Sequence, residues 1–173
     1  MKLIIAKPSP YARKARVALI EKAIEFETIV ENPWLPDTGI ADVNPLGKIP
    51  ALVLDDGRVI HDSKVIIEYL ETLNLPPALL PSLPDLRITH KQIEVIADGI
   101  SDAIVLIRLE GTRPVAMQSS DWVRRQRKKN RSECSGAVSL AGRAGVVHCR
   151  RVRAWGCGDR LCAWFSRLPF PRV

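Results

Sequence analysis

The sequence predicts an α/β domain followed by the beginning of an all-helical domain. In residues 1–74, short apolar runs and amphipathic helical patterns follow the order β-α-β and then β-β-α. A proline-rich stretch then precedes a long pattern in which isoleucines recur every three or four residues, as on the buried face of a helix. These observations predict four parts: residues 1–74, a linker over 75–84, helices over 85–129, and an atypical tail over 130–173.

Local patterns define the β-α-β half. The apolar run of residues 2–6 predicts a buried strand. Ser9 and Pro10 suit the N-cap and first turn of a helix, whose face would carry Ala12, Ala15, Ala18, Leu19 and Lys22. Residues 25–30 then predict a second strand, and residues 41–44 a helical turn.

The β-β-α half begins after the Asn44–Pro50 turn. Residues 51–54 and 58–60 predict two strands joined as a hairpin, because the intervening Asp-Gly pair supplies the positive φ of a tight turn. Asp62 and Ser63 then cap a helix with apolar positions at Val65, Ile66, Tyr69, Leu70 and Leu73. From Leu86, a long helix is predicted to stop before Pro114.

The composition limits the possible classes of protein. The 173 residues are 46% hydrophobic and 26% charged, as in ordinary globular domains. No run approaches the roughly 18 apolar residues of a membrane-spanning helix, so no membrane association is expected. The first residues lack the apolar region of a secretory signal, which leads us to expect a cytoplasmic location.

The tail differs from the rest of the chain. Residues 130–173 contain eight arginines against two acidic residues, and all four cysteines, Cys134, Cys149, Cys157 and Cys162. Their spacing never forms C-x-x-C, so no zinc site is predicted. No nucleic-acid-binding motif accompanies the charge, and nucleic acid is not an expected partner. We expect the tail to be disordered or read out of frame; a genuine but unusual tail is the alternative.

Three segments resemble a known family. Residues 9–16 (SPYARKAR), residues 44–50 (NPLGKIP) and the Asp62-Ser63 pair with its helix are similar, in this order and spacing, to the N-terminal domain of bacterial glutathione S-transferases. The resemblance implies a thioredoxin-like domain with a mixed four-stranded sheet, followed by a partial all-α C-terminal domain. It also implies glutathione as co-substrate, no metal, a small hydrophobic electrophile, a role in detoxification, and a homodimer if the C-terminal domain folds.

The resemblance assigns Ser9 as the catalytic residue that stabilises the glutathione thiolate, although an N-cap role alone explains the same serine. Tyr11 is a second candidate donor, and packing is its alternative role. Tyr11, Arg13 and Trp34 are expected to line or flank the cleft, while packing and solvent exposure account for them equally well. His61 is interpreted as a strand-end histidine.

The remaining glutathione-binding residues lie in the second and third segments. Ile49-Pro50 resembles the cis-proline turn of the fold, whose free backbone groups would pair with the cysteinyl backbone, while Lys48 would hold the glycyl carboxylate. Ser63 and Asp62 would bind the γ-glutamyl carboxylate and α-amino group. An ordinary trans-proline with an exposed lysine, and a plain capping pair, are the alternatives.

Two other functions stay open. The chain could be a non-catalytic binding protein with the same fold, or a truncated gene product without function. Because a partial helical domain leaves an apolar stripe unpaired, we expect weak or absent transferase activity from this chain.

Overall fold

The computed structural model describes residues 1–129. They belong to two compact units, one of residues Met1–Leu80 and one that begins at Pro81. The tail over 130–173, with its predicted disorder and its four cysteines, lies outside the described residues. None of the helices formed by residues 1–129 is long and apolar enough to cross a membrane.

A mixed four-stranded sheet forms the centre of the first unit. Its strands are β1 (Lys2–Ile5), β2 (Glu27–Val30), β3 (Ala51–Val53) and β4 (Val59–His61), in the order β2-β1-β3-β4. β1 runs parallel to β2, and β3 is antiparallel to both of its neighbours. This is the sheet that the resemblance implied. The crossover from β1 to β2 is long enough to return the chain in parallel, whereas a short turn joins β3 to β4 as a hairpin.

The hairpin turn has the predicted chemistry. Gly57 has a φ of +85°, and its N–H donates to the carbonyl of Leu54 at 3.1 Å. The N–H of Leu54 in turn donates to the carbonyl of Arg58 at 2.9 Å. A side chain at position 57 would be strained in this conformation, so the Asp-Gly signal in the sequence identifies the turn correctly.

Helices cover both faces of the sheet. On one face, α1 (Pro10–Glu21) and α3 (Ser63–Thr72) pack through Ala15, Leu19, Ile66 and Leu70 against alternate strand residues such as Leu3. On the other face, Ile40 of the short helix α2 (Ile40–Val43) packs with Ile4 and Ala51. Because β1 is buried on both sides, its residues are apolar without alternation.

A buried lysine connects the segment after α3, residues 75–80, to helices α1 and α3. The Nζ of Lys22, at the C-cap of α1, lies 2.8 Å from the Oε1 of Glu71 and donates to the carbonyls of Leu75 and Pro77 at 2.7 and 3.1 Å. The side chain of Lys22 is only 1% exposed. Glu71 also accepts the N–H groups of the two buried residues Leu79 and Leu80.

The second unit begins with α4 (Pro84–Gly111), followed by a short 3-10 helix (Val115–Met117) and a helix over residues 120–129. The predicted long helix is therefore present. Of the recurring isoleucines, Ile93 and Ile100 are buried and Ile96, Ile104 and Ile107 are half-buried; the buried face also includes Ala97 and Ala103. The face also buries three acidic residues that the apolar pattern did not indicate, namely Glu94, Asp98 and Glu110.

Glu110 joins the end of α4 to the following helix. Its carboxylate accepts the backbone N–H of Ser119 at 2.7 Å and lies 3.2 Å from the guanidinium of Arg113. The hydrogen bond from the N–H of Ser119 is the largest influence and lowers the pKa of Glu110. Burial, the next largest, raises that pKa, and Arg113 lowers it again, so the net shift is downward. The hydroxyl of Ser119 accepts the N–H of Trp122, so Ser119 caps the helix over residues 120–129.

Candidate functional site

Strand register brings the three segments of the family resemblance to one end of the sheet. Ile4 pairs with Ala51, and Ala51 pairs with His61, so these residues form one row across three strands. Ser9 follows the end of β1, Pro50 immediately precedes β3, and Asp62 immediately follows β4. Their segments therefore emerge beside one another, although 53 positions separate Ser9 from Asp62 in the sequence.

Two helices begin at the same end of the sheet. α1 starts at Pro10 and α3 starts at Ser63, and the two helices pack side by side. A helix N-terminus carries unpaired N–H groups and a partial positive charge of about half an elementary charge. Two N-termini at one sheet end therefore create a region that favours anionic groups.

Ser9 is the N-cap of α1. Its Oγ accepts the N–H of Ala12 at 3.2 Å, and its own N–H donates to the carbonyl of Ala6 at 3.0 Å. The side chain is half-buried. Because a hydroxyl accepts through its lone pairs and donates through its proton, the cap leaves the Ser9 O–H able to donate to a ligand. The capping role and the predicted thiolate role are therefore compatible at this atom.

The turn before β3 holds Ile49 and Pro50. The Ile49–Pro50 peptide bond is cis, as predicted, and Pro50 is buried. Within residues 1–129, neither the N–H nor the C=O of Ile49 makes a backbone hydrogen bond. Lys48 is exposed beside them. The turn therefore presents a free backbone donor and acceptor next to a cation at this end of the sheet.

Asp62 and Ser63 open α3 with an unusual backbone. Asp62 is an exposed N-cap whose Oδ1 accepts the N–H of Lys64 at 2.8 Å, so the predicted cap is present. Its φ of 67° and ψ of 130° fall in a region that L residues rarely adopt, at a cost of about 1–3 kcal/mol. Ser63 is buried, with 3% of its surface exposed. The positive φ at a non-glycine residue is a feature that the sequence did not reveal.

The three residues expected to line the cleft are placed as follows. Tyr11 is half-buried and Arg13 exposed, and both lie in the first turns of α1. Trp34 is 66% exposed in the loop after β2, whose last residue pairs with the last residue of β1. These positions belong to the same end of the sheet, and their contact with a ligand stays a prediction.

Asn44 has a structural role in the turn before Pro50 that the sequence pattern did not reveal. The pattern indicates only the start of a turn at this position, yet the side chain is buried and forms hydrogen bonds to both sides of that turn. The available signal was Asn followed by Pro, because Asn side chains commonly stabilise turns through hydrogen bonds to their own neighbouring backbone.

Within residues 1–129 no cluster of three metal-ligating side chains is present.

Comparison with known proteins agrees with this geometry. Residues 8–73 match the family model described as "Glutathione S-transferase, N-terminal domain". The uncharacterized GST-like protein YibF of Escherichia coli K12 is 39% identical over 197 aligned positions, which span 100% of this chain and 98% of that protein. The chain therefore belongs to the glutathione S-transferase family.

Solved structures show the same fold. A glutathione S-transferase of Methylobacterium radiotolerans in complex with glutathione sulfonate is 38% identical, with a TM-score of 0.79 over 95% of this chain and 76% of that one. A glutathione S-transferase of Methylobacillus flagellatus with bound glutathione is 31% identical, with a TM-score of 0.74 over 98% and 89%. The alignment with the E. coli protein also spans residues 130–173. The prediction that this tail is truncated or read out of frame is not confirmed by it and stays a prediction.

Proposed function

We propose that this protein is a glutathione transferase whose first unit binds glutathione at the end of the sheet that carries Ser9, Pro50 and Asp62. The observation that supports the proposal most directly is the row of Ile4, Ala51 and His61. The register of that row supports the proposal, because the Ser9 hydroxyl, the backbone N–H and C=O of Ile49 and the N-termini of α1 and α3 all follow or precede strands at this end of the sheet. A γ-glutamyl tripeptide offers two carboxylates, a peptide backbone and a thiol, which are complementary to these groups.

Ser9 would stabilise the thiolate of bound glutathione. A free thiol with a pKa of about 8.5 is only about 3% ionised at pH 7, and lowering that pKa by two units takes about 2.7 kcal/mol. A hydrogen bond from the Ser9 hydroxyl to a charged sulfur contributes about 1.5–3 kcal/mol, and the α1 N-terminus adds about 0.3–1 kcal/mol. Together they supply about 1.8–4 kcal/mol, a range that includes the roughly 2.7 kcal/mol needed for thiolate to be the main form.

The tripeptide backbone would be held by the other two segments. Ile49 would pair in the manner of a strand with the cysteinyl N–H and C=O, and Lys48 would attract the glycyl carboxylate. Ser63 would bind the γ-glutamyl carboxylate at the N-terminus of α3, while the Asp62 carboxylate attracts the α-amino group. The bound thiolate would then attack a small hydrophobic electrophile with no covalent enzyme intermediate, so proximity and thiolate population would supply the rate enhancement.

The proposal extends to assembly and location. Ile88, Val95 and Leu106 lie on one side of α4 and are 63%, 59% and 39% exposed, a stripe that a second copy of the chain would cover in a homodimer. The cytoplasmic location and the role in detoxification belong to the same proposal. The expected weak turnover depends on the tail, which lies outside the described residues.

Calorimetric titration with glutathione tests the proposal. We expect saturable binding in the micromolar to millimolar range, at least tenfold weaker in Ser63→Ala and unchanged in the control Ser82→Ala, which alters an exposed serine of the second unit. Conjugation of a panel of electrophiles then tests catalysis. An absence of binding by a folded wild-type protein would contradict the proposal.

A second candidate function is a non-catalytic protein that binds partners through the same fold. Binding of glutathione without turnover of any electrophile would favour this candidate. A truncated product without function would instead fail to give soluble protein with a two-state unfolding transition.

A further inference from the structure

The side chain of Asn44 connects the two arms of the turn that precedes Pro50. Asn44 is 2% exposed. Its Nδ2 donates to the carbonyl of Lys48 at 2.7 Å, and its Oδ1 accepts the N–H of Leu46 at 3.0 Å. The two partners fix the orientation of the amide, because a carbonyl requires the nitrogen and an N–H requires the oxygen.

The turn can close without the side chain of Asn44. The N–H of Gly47 donates to the backbone carbonyl of residue 44 at 2.8 Å, and any residue at this position would supply that carbonyl. The φ of +60° at Gly47 is likewise set by the glycine. What the asparagine side chain adds is its pair of hydrogen bonds, and the bond to Lys48 lies next to the proposed ligand-binding backbone.

The bond to Lys48 orients the N–H of Ile49. The carbonyl of Lys48 and the N–H of Ile49 belong to one planar peptide unit, and in a trans unit they point in opposite directions. When Asn44 holds the carbonyl from inside the turn, the N–H of Ile49 is directed away from Asn44. Within residues 1–129 this N–H has no backbone acceptor.

We propose that Asn44 is a positioning residue for glutathione: its Nδ2 holds the Lys48–Ile49 peptide plane so that the Ile49 N–H meets the cysteinyl carbonyl of the tripeptide. The inference rests on the proposed function and deepens it, because it identifies the residue that pre-orients the backbone contact. Pre-orientation raises affinity since the ligand does not have to order the peptide on binding.

Asn44→Asp separates the two bonds of this side chain. A carboxylate still accepts the N–H of Leu46 but has no proton for the carbonyl of Lys48. The matched control is Asn32→Asp, which makes the same charge change at an exposed asparagine whose Oδ1 accepts the N–H of Trp34 at 3.1 Å. An aspartate keeps that bond.

Titration of glutathione into the full-length proteins gives the first measurement. We expect the dissociation constant to rise about tenfold in Asn44→Asp, equivalent to about 1.4 kcal/mol, and to change less than twofold in Asn32→Asp. The dissociation constant of Asn44→Asp should approach that of the wild-type protein as the pH falls, because a protonated carboxyl again has a donor for the carbonyl of Lys48. In turnover, the KM for glutathione should rise while kcat at saturating glutathione stays the same.

Amide exchange of the wild-type protein gives a measurement that does not depend on the variant folding. The Ile49 N–H should exchange quickly in the free protein and slowly with glutathione bound, whereas an Asn44 Nδ2 proton should be protected in both states. An Ile49 amide that glutathione does not protect would overturn the inference.

The outcomes separate the two proposals. Wild-type protein that does not bind glutathione would contradict the proposed function and this inference together. Wild-type protein that binds glutathione, with Asn44→Asp equal to Asn32→Asp in affinity, would overturn the positioning role and leave the proposed function in place.

Discussion

Single residues at the candidate site have structural roles that coexist with the roles proposed for ligand binding. Ser9 and Asp62 both cap helices, and each cap accepts one backbone N–H. Asp62 does so with a strained backbone, although an ordinary N-cap needs no positive φ. Strain of this kind persists where the surrounding structure enforces it, and its position at the start of α3 favours a functional role for Asp62 and Ser63.

Removal of the Ser9 hydroxyl should reduce activity more than binding. In Ser9→Ala, we expect kcat/KM at pH 7 to fall by about 10- to 100-fold, since about 1.5–3 kcal/mol of thiolate stabilisation is lost. The free energy of unfolding should fall by about 1 kcal/mol, because the cap is also lost. Conjugation kinetics and urea unfolding measure the two effects.

The control for this prediction is Ser9→Thr, which keeps both a hydroxyl and the ability to cap. Absorbance of the bound thiolate as a function of pH should show a higher thiol pKa in Ser9→Ala than in Ser9→Thr. Equal thiol pKa values would contradict the role proposed for Ser9 and would favour its reading as a cap alone.

At the scale of elements, Lys22 and Glu71 connect α1, α3 and the segment that leads out of the first unit. The ion pair is buried on the lysine side, and each partner has further hydrogen bonds to backbone groups of residues 75–80. A buried charge is costly unless its hydrogen bonds are satisfied, and here five backbone and side-chain contacts satisfy the pair.

Removal of the lysine should destabilise the protein. In Lys22→Met, we expect the free energy of unfolding to fall by about 3–5 kcal/mol, because Glu71 and two carbonyls lose their shared partner. Urea unfolding measures this change. The matched control is Lys2→Met, which removes an exposed lysine 3.7 Å from Glu27 and should cost about 0–1 kcal/mol. Equal losses in the two variants would contradict the role of the buried pair.

The same ion pair predicts an acid dependence of stability. Burial raises the pKa of Glu71, but hydrogen bonds from Lys22 and from the N–H groups of Leu79 and Leu80 outweigh burial and lower that pKa below its ordinary value of 4.5. Because the pKa is lower in the folded state, the stability that Glu71 contributes is fully present above pH 4.5 and is lost as the pH falls through the folded value.

Urea unfolding across the acid range tests this dependence. Asp56 and Glu110 also have lowered pKa values and contribute to the acid dependence. The informative quantity is therefore the difference in the free energy of unfolding between the wild-type protein and Glu71→Gln at each pH. Leu79 and Leu80 donate to different oxygens of the Glu71 carboxylate, so the glutamine keeps an acceptor for one of these N–H groups and does not ionise. We expect a shallower loss of stability below pH 4.5 in Glu71→Gln, and parallel curves would contradict the prediction.

At the scale of the whole molecule, an exposed apolar stripe on α4 bears on assembly. Sedimentation equilibrium should show a dimer for the wild-type protein, and Val95→Glu should shift it towards monomer because a charge would be buried in the interface. The control is Ser82→Glu, which introduces the same charge at an exposed position that precedes α4 and lies outside the stripe. A monomeric wild-type protein would contradict the proposed homodimer.

Local sequence patterns predicted the helices and strands and most of their boundaries, because apolar spacing, caps and turn residues act over a few neighbouring positions. They identified the cap at Ser9, the Asp-Gly hairpin and the long helix that contains Ile93 and Ile100. With the family resemblance, they also predicted the mixed sheet and the cis bond before Pro50.

Features that depend on distant parts of the chain could be seen only in the folded molecule. Strand register placed residues from Ser9 to Ser63 at one sheet end, and packing buried Lys22 against the carbonyls of Leu75 and Pro77. The positive φ of Asp62 and the inward side chain of Asn44 are likewise set by surrounding contacts. Local spacing carries no information about such partners, because a lysine or asparagine has the same identity whether its hydrogen bonds are made to water or to a distant backbone group.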